Sequence, residues 1–457
     1  MTQQVSSESS PEAIEARCRE AGVRLVRFLY CDNGGVIRGK AVPAQRLARW
    51  ARSGVGMTIA MQAMNSLDHL QEVPGMGPVG EVRLVPDLST FTVVPYAPAT
   101  AVVLCDHIDL DGGPYAACPR QFLSRMVERL AERDMELSCS VENEFSLATD
   151  LGGRYLPLDE SLCFSTAGMA ASAPVIDAVA EALSVQDIEL WQYHPELGHG
   201  QHELSVAPSG LLRAADTQVL VRETLRGVPP RFGLTASLAP KPWADQPGNG
   251  AHVHLSLWDT NDKNLFFDPG RRFGLAKVAE QFIAGILAHL PGLLGLTAPS
   301  FNSYQRLLPQ HWSSAFVCWG PDNREATVRV PSTFKGIEEA STNLEYKPAD
   351  ASANPYLAFG GLVAAGLDGI DRQLEAPEPL LTDPASLIEE ERLAKGANRY
   401  PLTQAIALDA LAADEVLCRA LGTPLATSYL AVRRSEWLAH SQASDPEAPF
   451  RAHFRLY

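Results

Sequence analysis

LSCSVENEFSL, residues 137–147, alternates between apolar and polar positions. Leu137, Cys139, Val141 and Phe145 fall on one side, and Ser138, Ser140, Glu142, Glu144 and Ser146 on the other. That period of two belongs to a β-strand, so Glu142 and Glu144 share its polar face. Working outward, GAHVHLSLW (250–258) repeats the pattern, with His252, His254, Ser256 and Trp258 opposite Val253, Leu255 and Leu257. Glu196 and Glu203 bracket the loop ELGHGQHE, and Glu345 and Lys347 share a face in NLEYK (343–347). A hard divalent cation takes several oxygen ligands, and a pair of such cations clamps phosphate oxygens. Glu142, Glu144, Glu196, Glu203, Glu345 and His252 would supply two such sites, with an excess of negative charge for Mg²⁺ or Mn²⁺ to neutralise. One Glu-x-Glu alone reads as a wet strand face. Recurrence on separate segments reverses that reading.

The chain has 457 residues, long enough for two or three domains, and its 46% hydrophobic and 20% charged composition is that of an ordinary globular enzyme. A net charge of −16, with no basic stripe, argues against nucleic acid or an anionic membrane as partner. The 8 cysteines form no C-x-x-C pair, a usage suited to a reducing cytoplasm. MTQQVSSESS at the start lacks a basic and an apolar region, so no signal peptide is expected there. The apolar run Tyr356–Leu367 is too short to span a bilayer.

The first ten or so residues are expected to be disordered. Ser10-Pro11 reads as the cap and first position of a short helix that stops at Gly22. VRLVRFLYCDNGGVIRGKAV (23–42) reads as a hairpin about Asp32-Asn33-Gly34-Gly35, with Asp32 serving the turn. Strands near Glu81–Asp87 and Ala101–Asp106 complete a β-rich domain, taken as residues 15–112, that ends in the turn cluster Asp109–Pro114. An amphipathic helix over about Pro119–Arg133 opens the second domain, 113–457, where strands and helices mix in an α+β pattern. Asn354-Pro355 reads as a helix cap, Leu402–Tyr457 as mostly helical, and His194, His199 and His202 as loop or hydrogen-bonding residues rather than ligands.

The ordered series VENEF, ELGHGQHE, GNGAHVHLSLW, NSYQRLLP, NREATVRVP and NLEYKPADASANPYLAFGGLVAAGLDGI resembles the glutamine synthetase family from about residue 15 to the end of the chain. The resemblance implies a small β-grasp N-terminal domain and a catalytic domain whose antiparallel strands form a funnel flanked by helices. It implies homo-oligomers, hexameric rings or dodecamers, with active sites between subunits. It implies ATP and two to three Mg²⁺ or Mn²⁺ ions per site. By motif, Glu144, Glu196 and Glu203 would hold the ion nearer the amino-acid substrate, and Glu142, His252 and Glu345 the ion on the ATP phosphates. His254 and Ser256 would approach the nucleotide. Arg306 would clamp a substrate carboxylate bidentately. Arg324, expected in the loop before its strand, and Arg329 would neutralise the transferring phosphoryl group. Gly248 would let the backbone approach glutamate. Making an amide from an unactivated carboxylate is uphill in water, so the carboxylate must first become an acyl phosphate. That transfer needs mainly positioning and charge neutralisation.

Departures from the family pattern concern the amine. True glutamine synthetases carry an Asp in an N-terminal segment that binds ammonium; here Gly54-Val55-Gly56 leads into MTIAMQAM (57–64), and Asp68 is the nearest acid. Six residues after the substrate arginine the family has a flap Glu; here stands Trp312. Both changes move the amine pocket from anionic to apolar, with Met57, Met61 and Met64 as adaptable walls. Uncompensated desolvation would then disfavour ammonium. Asn343, Lys347 and Pro247 also replace family residues around phosphate and glutamate. The resemblance thus implies a cytoplasmic ATP-dependent γ-glutamyl–amine ligase acting on glutamate and a hydrophobic primary amine, aromatic or alkyl, in amine catabolism. A polyamine would require extra acids that segments 57–64 and 310–318 lack. The alternatives are an ordinary glutamine synthetase using Asp68, a polyamine or ethanolamine ligase, and a non-catalytic structural relative.

Overall fold

The computed structural model describes residues 10–457, so the expected disorder of residues 1–9 lies outside it. Ser10 caps the helix Pro11–Glu20, its Oγ accepting from the Ala13 amide at 3.2 Å. The chain then turns at Gly22 in the left-handed region, φ +65°, where glycine carries no steric penalty. Leu25–Cys31 and Ile37–Pro43 pair as the expected hairpin. They join a five-stranded sheet in the order 37–43, 25–31, 100–108, 81–93, 55–58, whose inner pair Leu25–Cys31 and Thr100–Ile108 runs parallel. The strand expected over 81–87 continues to Val93 through an irregularity between Asp87 and Thr92.

After the turn at Asp109–Gly113, the helix Pro119–Ala131 opens the second domain. Its main sheet runs 316–321, 326–330, 344–346, 251–259, 135–150, 201–206, 190–195. Neighbours are antiparallel, as expected of the funnel, apart from Phe316–Pro321 with Ala326–Val330, which are parallel. The intervening turn at 322–325 is where the chain reverses before the second strand, and the backbone at Asp322 is left-handed, φ +48°.

Met135–Asp150 is the spine of this sheet. Its apolar side, Leu137, Cys139, Val141, Phe145 and Leu147, is buried beneath Pro119–Ala131 and Leu211–Gly227. Full burial of each such aliphatic or aromatic side chain contributes about 1.5–3 kcal/mol, which locks the register and turns the glutamate side toward the funnel. Cross-strand pairing then sets His252 opposite Glu142, Glu203 opposite Glu144, and Arg329 opposite Glu345. Pro355–Asp371, capped by Asn354 through the Tyr356 amide at 3.0 Å, packs against Lys277–Thr297. A Cβ at Gly369 would lie 2.1 Å from the Gln281 carbonyl oxygen, so only glycine lets these helices meet. Thr166–Val185 and Lys277–Thr297 are long and apolar enough to cross a membrane by length and composition. The second is 78% buried within the fold and serves as a core helix. Residues 402–457 contribute the helices Gln404–Ala413, Glu415–Leu421, Thr423–Ser441 and Ala448–Leu456.

Candidate active site

The funnel holds a cavity of about 600 Å³, lined by Glu142, Glu144, Glu196, Glu203, Glu345, His252, Gly248, Arg306, Arg324, Arg329, Lys347 and Trp312 among others. The sheet register explains the gathering of the glutamates: period-two strands place carboxylates from adjacent strands side by side. Three overlapping clusters run along the floor. His194, Glu196 and Glu203 form one end, Glu142, Glu203 and His252 the middle, and Glu142, His254 and Glu345 the other end, each with ligand atoms within 4.8 Å of one another. Glu203 and Glu142 are the shared members.

The electrostatics are those of a cation site. Burial, reinforced by Glu142, Glu144 and Glu196, pushes the Glu203 carboxyl well above its ordinary range. Among the described residues no hydrogen-bond donor reaches its carboxylate, and His194 Nε2 lies 3.7 Å away. Burial opposes ionisation of Glu142 and Glu345 too. His254 outweighs it at Glu142, which is held well below the ordinary range, and Lys347 with His254 draws Glu345 down to about 2. His254 resists burial through Glu142, at 3.2 Å, and is raised to about 9. Among the described residues the buried Nε2 atoms of His252 and His254 find no well-aligned hydrogen-bond partner, although they lie 3.5 Å from Glu144 Oε1 and 3.2 Å from Glu142 Oε1. Orphaned imidazole nitrogens facing carboxylates, with oxygen donors in excess, fit divalent cations.

Lys347 Nζ and Arg329 Nη1 meet Glu345 at 3.1 and 2.7 Å. Arg324 stands in the turn before Ala326–Val330, as its parity with Arg329 requires. Arg306 is buried, gives Nη2 to the Pro348 and Ala349 carbonyls at 2.6 and 2.9 Å, and keeps an Nε without partner. Gly248 and Pro247 line the cavity beside it. Ser256 accepts from Trp258 Nε1 at 2.8 Å, and His254 Nδ1 meets Asn343 Oδ1 at 2.8 Å, both beyond the cavity lining.

Of the three methionines, Met57 departs from the expectation. Met57 is 3% exposed in the core of its own domain and is no wall of this chain's cavity. Its strand alternation turns it inward. Met61 packs partly against the same core, and Asp68 is an exposed partner of Arg38 at 2.8 Å. Asp32 does more than close a turn: it accepts from the Val36 amide at 2.8 Å and pairs with Arg38 at 2.5 Å.

Trp312 reaches the cavity, half-exposed, on a loop whose residues Gln310, Trp312 and Ser314 are all left-handed (φ 63°, 53° and 65°). Such non-glycine conformations cost about 1–2 kcal/mol each and need support. Glu325 supplies it, its buried carboxylate accepting from the Trp312 and Gln310 amides at 2.8 and 3.3 Å. Glu325, Phe164, Leu197 and Gln201 are site residues that the sequence motifs do not single out. Phe164 and Leu197 line the cavity mouth, where Phe164 meets His194 edge-on at 4.7 Å. His194, expected as a loop or hydrogen-bonding residue, lies on Leu190–Pro195 and does bond Glu196 at 2.9 Å, yet it also points into the ligand cluster. Its i, i+2 spacing to Glu196 is the signal that could have found it. His202 faces away toward Tyr193 at 3.1 Å, and His199 lies in the turn.

The glutamine synthetase N-terminal domain model matches residues 12–115 and the glutamine synthetase catalytic domain model residues 116–448. Gamma-glutamylpolyamine synthetase GlnA3 of Streptomyces coelicolor is 38% identical over 428 residues, 93% of this chain and 92% of that one. A glutamine synthetase of Methanocaldococcus jannaschii is 34% identical, covering 78% of this chain and 79% of its own. Glutamate–methylamine ligase of Methyloversatilis universalis is 29% identical over 94% of this chain and 96% of its own. Among solved structures, a novel glutamine synthase homolog superposes with a TM-score of 0.85 at 34% identity over 95% of this chain and 99% of that one, and a GmaS complex with ADP with 0.84 at 30% over 95% and 98%. Matched across both domains, this chain belongs to the glutamine synthetase family and is an ATP-dependent ligase that forms carbon–nitrogen bonds.

Proposed function

We propose that the chain joins the γ-carboxylate of glutamate to a hydrophobic primary amine, aromatic or alkyl, by way of γ-glutamyl phosphate. The observation that carries this reading is the cavity mouth, where Trp312, Phe164 and Leu197 stand together and no carboxylate occupies position 312 to compensate a desolvated ammonium ion. Arg306, with a free buried Nε, would receive a glutamate carboxylate, and Arg324, Arg329 and Lys347 would take up charge on the transferring phosphoryl group. The glutamate clusters would hold Mg²⁺ or Mn²⁺, which supplies charge neutralisation for that transfer. Residues Glu142, Glu144, Glu196, Glu203, His252 and Glu345 are the proposed ligands, and His254 orients from the nucleotide end.

A second reading has its own support. The acids that a polyamine needs are absent from 57–64 and 310–318, but a second cavity of about 390 Å³ shares Trp312 and Arg324 with the first and is lined by Asp322, Glu325 and Asp383. A relative named for polyamines at 38% identity favours the same acceptor. Phosphate release with glutamate and ATP, over aniline, isopropylamine, ethanolamine, putrescine, spermidine and ammonium, decides between them. Highest kcat/KM for aniline or isopropylamine supports the first reading, and for spermidine or putrescine the second. Preference for ammonium overturns both.

We infer further that the chain acts in the cytoplasm as a homo-oligomer with the segment 57–64 near a subunit seam. The eight free cysteines and the partly exposed Met61 and Met64 support this. A fully active monomer in light scattering under assay conditions would exclude the seam.

A further inference from the structure

Gln201 opens the strand Gln201–Val206 and is a polar side chain only 3% exposed. Its side chain is fully engaged. Oε1 accepts from the Gly198 amide at 2.8 Å, in the turn between Glu196 and Glu203. Nε2 lies 3.1 Å from Glu144 Oε2, 2.9 Å from the Gly248 carbonyl and 3.0 Å from Asn249 Oδ1. Glu144 Oε2 also accepts from the Gly250 amide at 2.8 Å. One carboxylate oxygen of Glu144 is therefore held by protein donors, and Oε1 alone remains to face the cluster.

The segment 248–250 is as tightly placed. Asn249, fully buried, gives its amide to the Ser237 and Ala239 carbonyls at 3.2 and 3.1 Å. A Cβ on Gly248 would lie 2.2 Å from the Pro240 carbonyl oxygen and 2.6 Å from Arg306 Cγ, so the loop is wedged between Gln201 and Arg306. Gly198 meets Gln201 with the same closeness, a Cβ there falling 2.8 Å from Oε1.

We propose that Gln201 is a positioning residue that couples the glutamate-side metal ligand Glu144 to the Gly248–Gly250 substrate loop, so that metal and glutamate bind cooperatively through one amide. The idea rests on the ligase reading of the cavity. An NH₂ group has two hydrogens for three acceptors, so a shift of the loop redistributes the bond on Glu144, and a shift of Glu144 is felt by the loop. Coupling of binding is reciprocal: glutamate must tighten the metal by the factor by which the metal tightens glutamate. Hydrogen-bond partners behind a metal ligand typically carry 10–100-fold in metal affinity.

The test uses the full-length protein and two variants, Gln201→Glu and Gln201→Met. The first keeps the shape but sets a carboxylate against Glu144 and two further oxygens. The second removes the donor without adding charge. Mn²⁺ binding, read by the electron paramagnetic resonance signal of the free ion with and without glutamate, is followed beside KM for glutamate and displacement of a fluorescent nucleotide. The expected result in both variants is about 10-fold weaker Mn²⁺ binding at one class of site, a KM for glutamate raised by a similar factor, and loss of the tightening by glutamate. Nucleotide affinity should stay within about twofold, which also certifies folding. Unchanged Mn²⁺ affinity, retained tightening by glutamate, or an equal loss of nucleotide binding would overturn the proposal. Because Mn²⁺ binding and its tightening by glutamate are read without any amine, failure of the acceptor assignment leaves that arm of the test intact.

Discussion

Two buried charged regions of this molecule are built to opposite rules. At the seam between the domains, charges are matched and hydrogen-bonded. Arg120 grips Asp216 through two bonds, at 3.0 and 2.9 Å, and reaches Asp106 and Asp87 on the N-terminal sheet at 3.0 and 2.7 Å. Arg433 holds Glu436 at 3.0 Å and the Ser352 carbonyl at 3.0 Å, while Arg222 and Tyr457 hold the hairpin carbonyls of Gly35 and Gly34 at 2.6 and 3.0 Å. In the funnel, Glu203, Glu196 and Glu144 lie together with no lysine or arginine among the described residues within ion-pairing distance of any of them. Paired buried charges specify how the domains meet. Unpaired ones store an attraction for a cation, and the protein tolerates their repulsion for the sake of the chemistry.

The sharpest way to break this contrast is to neutralise the unpaired side. Glu203→Gln should lower metal-dependent phosphate release by about 10²–10³-fold or more, the scale on which single charge-stabilising groups count in catalysis. It should also raise the melting temperature of the metal-free protein. The sign follows from the raised carboxyl: an acid whose folded pKa lies above its unfolded value destabilises the fold increasingly as pH rises past the unfolded value, and the amide removes that burden. A lowered melting temperature near pH 7 would place Glu203 among the matched charges.

The same kind of change on the matched side should do the reverse. Arg433→Met leaves Glu436 buried without its cation, and breaking such a pair costs about 3–5 kcal/mol. Denaturant unfolding would read that loss, and a cost below about 1 kcal/mol would mean that the seam is a solvated boundary.

A smaller effect sharpens the picture of the cavity mouth. Trp312→Glu should lower kcat/KM for aniline-like or isopropylamine-like substrates several-fold, since an aromatic contact is worth on the order of 1 kcal/mol beyond burial. It should raise ammonium use slightly. Equal ratios of the two kcat/KM values in both proteins would remove Trp312 from amine selection.

The smallest expected effect lies where the helices Lys277–Thr297, Pro355–Asp371 and Glu415–Leu421 meet. His289 bridges Asp414 at 2.7 Å and Asp368 at 3.0 Å, and Asp368 also meets Arg372 at 2.8 Å. The bond to Asp414 leads the causes that raise its pKa above the ordinary 6.5. A raised histidine contributes stability that is complete below about pH 6.5 and fades as pH climbs through the folded value. His289→Gln should therefore cost about 1 kcal/mol at pH 6 and less at pH 9. A cost independent of pH would show that the imidazole acts only by packing.

What was legible in advance was whatever depends on local periodicity. The alternation in 137–147 and 250–258 determined, by itself, that Glu142 and Glu144 share one face of their strand and His252 and His254 one face of theirs, because side chains of a strand alternate whatever surrounds it. Asn354-Pro355, Ser10-Pro11 and the DNGG turn were readable for the same reason: caps and turns are satisfied by neighbours in sequence. Tertiary structure decided everything that joins distant segments. Only the cross-strand register brings Glu203 beside Glu144 and His194 into the cluster, and only the fold of the 310–314 loop over Glu325 delivers Trp312 to the cavity. Met57 was misplaced because a strand edge in MTIAMQAM could turn either way, and the choice belonged to the core of its own domain, where burying an apolar side chain gains more than lending it to a neighbour.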